Sequence, residues 1–163
     1  MKENRNGVKG MKEIQKITSF TVDHTVLQEG MYISRVDGDI TTFDLRTRKP
    51  NAGDYMDHAT MHTLEHLFAT YIRNSEIGSA VIYFGPMGCQ TGFYLLTRDV
   101  APEVVRQAVI AVLQKILAHT GEVFGNSAVE CGNYKTLDLK SGQTEAERYL
   151  NVLLARGECG FDY

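Results

Sequence analysis

Met61-His62-Thr63-Leu64-Glu65-His66-Leu67-Phe68-Ala69-Thr70-Tyr71-Ile72 is the stretch whose reading decides how this chain folds. Its large apolar residues, Met61, Leu64, Leu67, Phe68, Tyr71 and Ile72, cover much of a helical circumference. Residues 60–73 are therefore expected to form a helix packed into the protein. At about 100° per residue, His66 falls about 40° around the axis from His62, and Glu65 about 60° to the other side. Two imidazoles at i and i+4 can grip one divalent ion without distorting the helix. A carboxylate beside them is placed to move protons. The bland alternative is a surface helix with solvated histidines, and the apolar flanks argue against it. Buried polar groups need partners, and a metal supplies them.

The segments around this helix alternate between strand and helix patterns. Residues 17–26 are apolar and β-branched, which predicts a strand or extended arm. Residues 31–36 and 40–45 flank Asp37-Gly38-Asp39, a hairpin signal. A polar loop is expected over 46–57. Residues 80–84 and 92–97 read as two further strands around the turn Gly85-Pro86-Met87-Gly88-Cys89. Pro102 opens a helix expected to reach about His119, with Val105, Val109, Val112, Leu113, Ile116 and Leu117 on its buried side. Residues 123–135 contain a Gly125-Asn126 turn and the pair Cys131-Gly132. A last amphipathic helix is expected over 144–156, stopped by Gly157. The mixture predicts an α+β fold, a mostly antiparallel sheet packed against helices. Residues 1–13 read as a loose extension, with Met1 and Met11 both candidate starts, and residues 14–163 as one domain.

Size and charge narrow the function. The chain has 163 residues, enough for one domain with a real core. A net charge of −3 offers no basic surface for nucleic acid or an anionic membrane. No apolar run is long enough to span a bilayer, and residues 1–16 lack the apolar core of a secretory signal, so the cytoplasm is the expected compartment. Three cysteines, Cys89, Cys131 and Cys159, are an odd count that suits thiols or metal ligands better than a disulfide framework.

Two histidines do not complete a catalytic metal site, which usually has a third protein ligand and an open position. Cys131, Cys159, Cys89, Glu130 and His58 are the candidates. Cys131 follows a strand-like stretch and precedes a glycine that lets backbone approach closely; it reads equally well as a small buried thiol. Cys89, in its glycine-rich turn, would be a lowered-pKa base or nucleophile if a cation stood nearby. Standing alone, it would be incidental to a tight hairpin.

Four motifs occur together and in order: Val22-Asp23-His24-Thr25, His62-Thr63-Leu64-Glu65-His66-Leu67, Pro86-Met87-Gly88-Cys89-Gln90-Thr91-Gly92-Phe93-Tyr94 and Cys131-Gly132. Asp44-Leu45-Arg46 and Pro50-Asn51 add to them. In this the chain resembles the S-ribosylhomocysteine lyase family over about residues 14–154. The resemblance implies His62, His66 and Cys131 as ligands of one divalent metal per subunit, normally ferrous iron, with zinc or cobalt able to substitute. It implies Glu65 and Cys89 as the acid/base pair. Ser19, His24 and Arg46 match positions that bind substrate across a homodimer interface. Without the resemblance, His24 reads as a buried strand histidine and Arg46 as a solvated charge.

The implied reaction cleaves S-ribosylhomocysteine to homocysteine and 4,5-dihydroxy-2,3-pentanedione, the autoinducer-2 precursor. The resemblance thereby implies a place in quorum sensing, in methyl-cycle recycling, or in both. Two departures from the family pattern stand out. Tyr83 sits six residues before Cys89, where the family commonly has aspartate, and the loop between Arg46 and His62 is about a residue longer than usual. Two other functions share parts of the pattern. H-x-x-E-H on a helix also belongs to inverse-zincin peptidases, which are larger and use an acidic third ligand. A closed four-ligand site would instead suit a metal-stabilised binding module.

Overall fold

The structure, a computed structural model, describes residues 13–157 and 160–163. The expected extension over 1–13, apart from Glu13, and Cys159 lie outside the described residues.

Strands β1 (Gly30–Asp37) and β2 (Ile40–Arg46) form the expected hairpin, with Asp37 opposite Ile40 across a Gly38-Asp39 turn. Gly38 takes φ 63°, the left-handed conformation that glycine tolerates at no steric cost. Strands β3 (Val81–Pro86) and β4 (Gly92–Arg98) complete a four-stranded sheet in the order β1-β2-β4-β3, with antiparallel neighbours throughout. Three helices accompany it: α1 (His58–Arg73), α2 (Pro102–Leu117) and α3 (Leu139–Arg156). The α+β expectation holds.

Alternation along the strands divides the sheet into two faces. Phe43 pairs with Leu95 and Leu45 with Phe93, and all four are buried in the core shared with the helices. Phe84 stacks between Phe68 of α1, at 4.2 Å, and Phe93, at 5.0 Å. The intervening residues of β2, Asp44 and Arg46, point to the opposite face. There they pair with Tyr94 and Gly92.

Four expectations need correction. Residues 17–26 make no strand; Thr18–Phe20 form a short 3-10 turn, and Ile17, Phe20 and Val26 stay exposed. β-branched residues favour a strand only where a neighbouring strand is there to pair with them. The 46–57 loop is not simply polar. Thr47 and Met56 are buried, and Arg48 ties the loop to α3 through Glu145 at 2.7 Å. α3 begins five residues earlier than expected. Its Gly142 lies so close to α1 that a Cβ there would come within 2.7 Å of Thr63 Cγ2. Having no side chain at that position is what lets the two helices cross. Finally, Cys131 sits on a turn, its N–H donating to Ser127 O at 3.0 Å, rather than after a strand.

Among the described residues, no helix is long and apolar enough to cross a membrane.

Candidate active site

α1 starts where Asp57 caps it, the carboxylate accepting from Thr60 N at 2.7 Å. This sets the phase that puts His62 and His66 side by side, their ring centroids 4.6 Å apart. His66 Nδ1 lies 2.7 Å from the carbonyl oxygen of Phe124. A carbonyl only accepts, so Nδ1 carries the proton and Nε2 keeps its lone pair. His62 is fixed in the same way. Thr136 Oγ1 spends its own hydrogen on Asn133 O at 3.0 Å, and so accepts from His62 Nδ1 at 2.8 Å. Gly125, at φ 71°, allows the Phe124 loop to close on the ring; a Cβ there would sit 3.0 Å from His66 Nδ1.

Cys131 arrives from the other side, its Sγ 3.3 Å from His62 Nε2 and accepting from Asn133 N at 3.4 Å. The ligand atoms of His62, His66 and Cys131 all lie within 4.8 Å of one another, so the three could hold a metal. Two preset imidazole nitrogens and a sulfur make a three-donor set of the kind that leaves a coordination position open for chemistry. The residues present therefore fit a divalent ion. Burial, with His66 and His58 nearby, pushes His62 below its ordinary range and favours the neutral, ligating ring. The other described candidates stand apart. His58 is exposed, 5.5 Å from His62 ring to ring, and Glu130 accepts from Ser127 Oγ at 2.6 Å.

Glu65 lines a cavity of about 300 Å³ with His66, Ala69, Thr70, Phe124 and Gly125. Burial raises its carboxyl above the usual range, against the pull of His66. A carboxyl so placed can hold and return a proton.

Cys89 sits at the turn between β3 and β4, which closes through Met87 N donating to Gly92 O at 2.9 Å. Arg46 Nη1 donates to Thr91 Oγ1 at 2.6 Å, leaving the Thr91 hydroxyl hydrogen free to point at Cys89 Sγ, 3.1 Å away. The same Arg46 nitrogen lies 3.7 Å from the sulfur. Burial works against the thiolate. The Thr91 hydroxyl and N–H, then the Arg46 charge, outweigh it and hold the thiol below its ordinary value. Arg46 itself is anchored by Asp44, Nη2 to Oδ2, at 2.5 Å.

The structure thus gathers two clusters, His62-His66-Cys131 with Glu65, and Cys89 with Arg46, Thr91 and Asp44. Gln90 O accepts from Met56 N at 3.0 Å, which docks the Cys89 turn against the residues leading into α1. His24 Nδ1 is 2.9 Å from Val22 O, and its charge bears on Asp44. Ser19 lines a separate cavity of about 320 Å³ on the sheet face away from the helices, with Tyr83, Tyr94 and Leu96. Asp44, Thr91 and Thr136 are hydrogen-bond partners of the candidate site residues, and sequence reasoning gave them no role. The i, i+2 spacing of Asp44 and Arg46 on one strand face was a usable signal. Nothing local marked Thr136.

The profile of the S-ribosylhomocysteinase (LuxS) family matches residues 17–158. The chain belongs to that family. Among its relatives is the S-ribosylhomocysteine lyase of Desulfotalea psychrophila, 44% identical over 150 residues, covering 86% of this chain and 92% of the relative. The lyase of Finegoldia magna is 43% identical over 145 residues, with 86% and 92% covered. That of Borreliella burgdorferi is 40% identical over 146 residues, with 86% and 93% covered. Membership in the S-ribosylhomocysteinase family favours lyase chemistry over the peptidase and binding-module alternatives, and it implies a metal cofactor.

Proposed function

We propose that this chain is an S-ribosylhomocysteine lyase, converting S-ribosylhomocysteine to homocysteine and 4,5-dihydroxy-2,3-pentanedione through two carbonyl migrations and β-elimination of the thiol. The observation that carries it is the pairing, inside the family-matched region, of a preset two-histidine, one-cysteine ligand set with a thiol that has the Thr91 hydroxyl 3.1 Å away and the Arg46 guanidinium 3.7 Å away.

A thioether on an unactivated sugar carbon does not leave, so the carbonyl must first move from C1 to C3. Each shift takes a proton from one carbon and returns one to its neighbour. Cys89, as thiolate, is the base at C2, and Thr91 and Arg46 favour that form over the thiol. Glu65 holds a proton at its carboxyl and shuttles it among the substrate oxygens. In the last step the C4 proton is removed, and its electron pair makes C4–C5 a double bond as the C5–S bond breaks. The resulting enol ketonises by losing its hydroxyl proton and gaining one at C5, which gives the methyl group of the dione. The departing thiolate takes up a proton as homocysteine. His62, His66 and Cys131 would hold the metal, which supplies Lewis-acid stabilisation of negative charge on the sugar oxygens and no redox change. Ferrous iron is the proposed ion, with zinc or cobalt able to substitute.

We further propose a cytoplasmic homodimer of 14–163 domains, with Ser19, His24 and Arg46 binding substrate where two chains meet. In support, Ile17, Phe20 and Tyr83 are exposed apolar groups on or near the helix-free sheet face. Among the described residues, no hydrogen bond joins the Cys89 cluster to the metal ligands.

The test is anaerobic preparation with iron, addition of S-ribosylhomocysteine, and measurement of homocysteine release against a Cys89→Ala blank. Catalytic release by the wild type alone supports the reading. A metal-loaded protein that releases none rejects it.

A further inference from the structure

Beyond α3, and beyond the family-matched region that ends at residue 158, the chain returns to the sheet. Phe161 O accepts from Ile33 N of strand β1 at 2.7 Å. The Tyr163 ring stacks on Tyr32, centroids 5.1 Å apart and planes 15° from parallel. The Tyr163 hydroxyl donates to Asp44 Oδ2 at 3.0 Å. That oxygen is the one Arg46 holds. A continuous chain of contacts therefore runs Tyr163, Asp44, Arg46, Cys89.

We infer that Tyr163 is a positioning residue for the Cys89 thiol, acting through Asp44 and Arg46. This rests on the reading of Cys89 as the reacting group. The physical reason is competition for one guanidinium. Arg46 serves the Asp44 carboxylate through Nη2 and the Cys89 sulfur and Thr91 through Nη1. Asp44 is 1% exposed, and its Oδ1 has no partner. A buried carboxylate short of donors draws on whatever cation it has. The Tyr163 hydroxyl supplies one of those donors and leaves more of the Arg46 charge for the sulfur. The ring, stacked on Tyr32, holds that hydroxyl in place against Asp44. Burial raises the Asp44 carboxyl, and Arg46 and Tyr163 oppose that rise, which agrees with this role.

The other groups that bear on this chain are Tyr94 of β4, which faces Asp44, Arg46 and Cys89, with His24 and Tyr149 of α3 facing Asp44. They are common to every variant below, so a difference between variants reports on Tyr163.

The experiment is iodoacetamide alkylation of Cys89 across a pH series, read by peptide mass in the metal-loaded protein, with Cys89→Ala as the blank. Tyr163→Phe keeps the ring on Tyr32 and removes only the hydroxyl; Tyr163→Leu removes both. The expected result is a midpoint raised by roughly half a unit in Tyr163→Phe, hence about threefold slower alkylation below it. Tyr163→Leu should shift at least as far. A wild-type midpoint in Tyr163→Phe overturns the inference, whether or not Tyr163→Leu moves, because the hydroxyl would then do nothing. A downward shift overturns it too. Alkylation needs no turnover, so a raised midpoint in a protein that releases no homocysteine supports the positioning role while rejecting the lyase reading.

Discussion

The Cys131 sulfur lies 3.3 Å from His62 Nε2 although 69 residues separate them in sequence. A thiol at that distance from a preset imidazole lone pair is where a shared ion would draw both. Cys131→Ala is therefore expected to bind little metal after purification, and Cys159→Ala to keep it. Elemental analysis of metal per chain decides this. Full occupancy in Cys131→Ala would move the third ligand elsewhere.

Thr136 fixes the other side of the same imidazole. Its hydroxyl accepts from His62 Nδ1, and a valine cannot. Thr136→Val keeps the volume but frees the ring to turn or change tautomer. Loss of such an outer partner typically costs about ten- to hundredfold in metal affinity. Competition with a chelator of known affinity measures it, and unchanged affinity would show that the threonine merely packs there.

The pH dependence follows from Cys89. Its thiol titrates below the ordinary value because Thr91 and Arg46 favour the thiolate. The base form is thus present above that lowered value and is lost as pH falls through it, giving turnover an acid limb. Removing a stabilising group raises the value and moves the limb to higher pH. Arg46→Gln would do this but would strand Asp44, whose side chain is 1% exposed, as an unpaired buried charge at a cost of about 3–5 kcal/mol. Thr91→Val is the cleaner variant: the acid limb of its kcat/KM profile should move upward with the fold intact. A limb that stays in place would remove Cys89 from the role of titrating base.

How much of this was legible before folding depended on the range of the interactions. The apolar period of residues 60–73 announced α1 and its paired histidines. Asp57 merely moved the start back to His58. Asp-Gly marked the first hairpin because turn chemistry is local. The early start of α3 was missed: its Gly142 packs against Thr63, on another helix, and no local rule contains that contact. Cys131 was even between ligand and buried thiol until the resemblance weighed it. Thr136, Phe124 and Tyr163 reach their partners only through contacts made by the tertiary fold. Residues 17–26 have strand composition but no strand beside them within one chain.

Gly142 itself can be tested. A Cβ at that position meets the buried Thr63 side chain, and both lie inside packed helices with little room to give. Gly142→Val should therefore destabilise by about 1–3 kcal/mol, in line with overpacked cores, and lower the thermal midpoint by several degrees. Gly142→Ala should fall between that variant and the wild type. A valine variant as stable as the wild type would mean that α3 reseats against α1 without cost.

Tyr83, one of the two departures that the resemblance suggested, has a defined place in the structure. The ring turns over Gly85, so closely that a Cβ there would meet the phenol oxygen at 2.1 Å. It is 51% exposed and lines the cavity that holds Ser19 and Tyr94. A half-exposed phenol in the cavity of a proposed substrate-binding residue should contribute to substrate binding rather than to proton transfer. Tyr83→Ala is expected to raise KM for S-ribosylhomocysteine about fivefold, the worth of one hydrogen bond of about 1 kcal/mol, with kcat and metal content little changed. Gly85→Ala offers an independent route to the same effect. The added methyl would displace the far end of a flexible side chain rather than the backbone, so the protein should stay folded while the phenol leaves its place. Saturation kinetics on both variants decide the matter. Two wild-type KM values would mean that Tyr83 stands clear of the substrate, whereas a collapse of kcat would place it among the reacting groups.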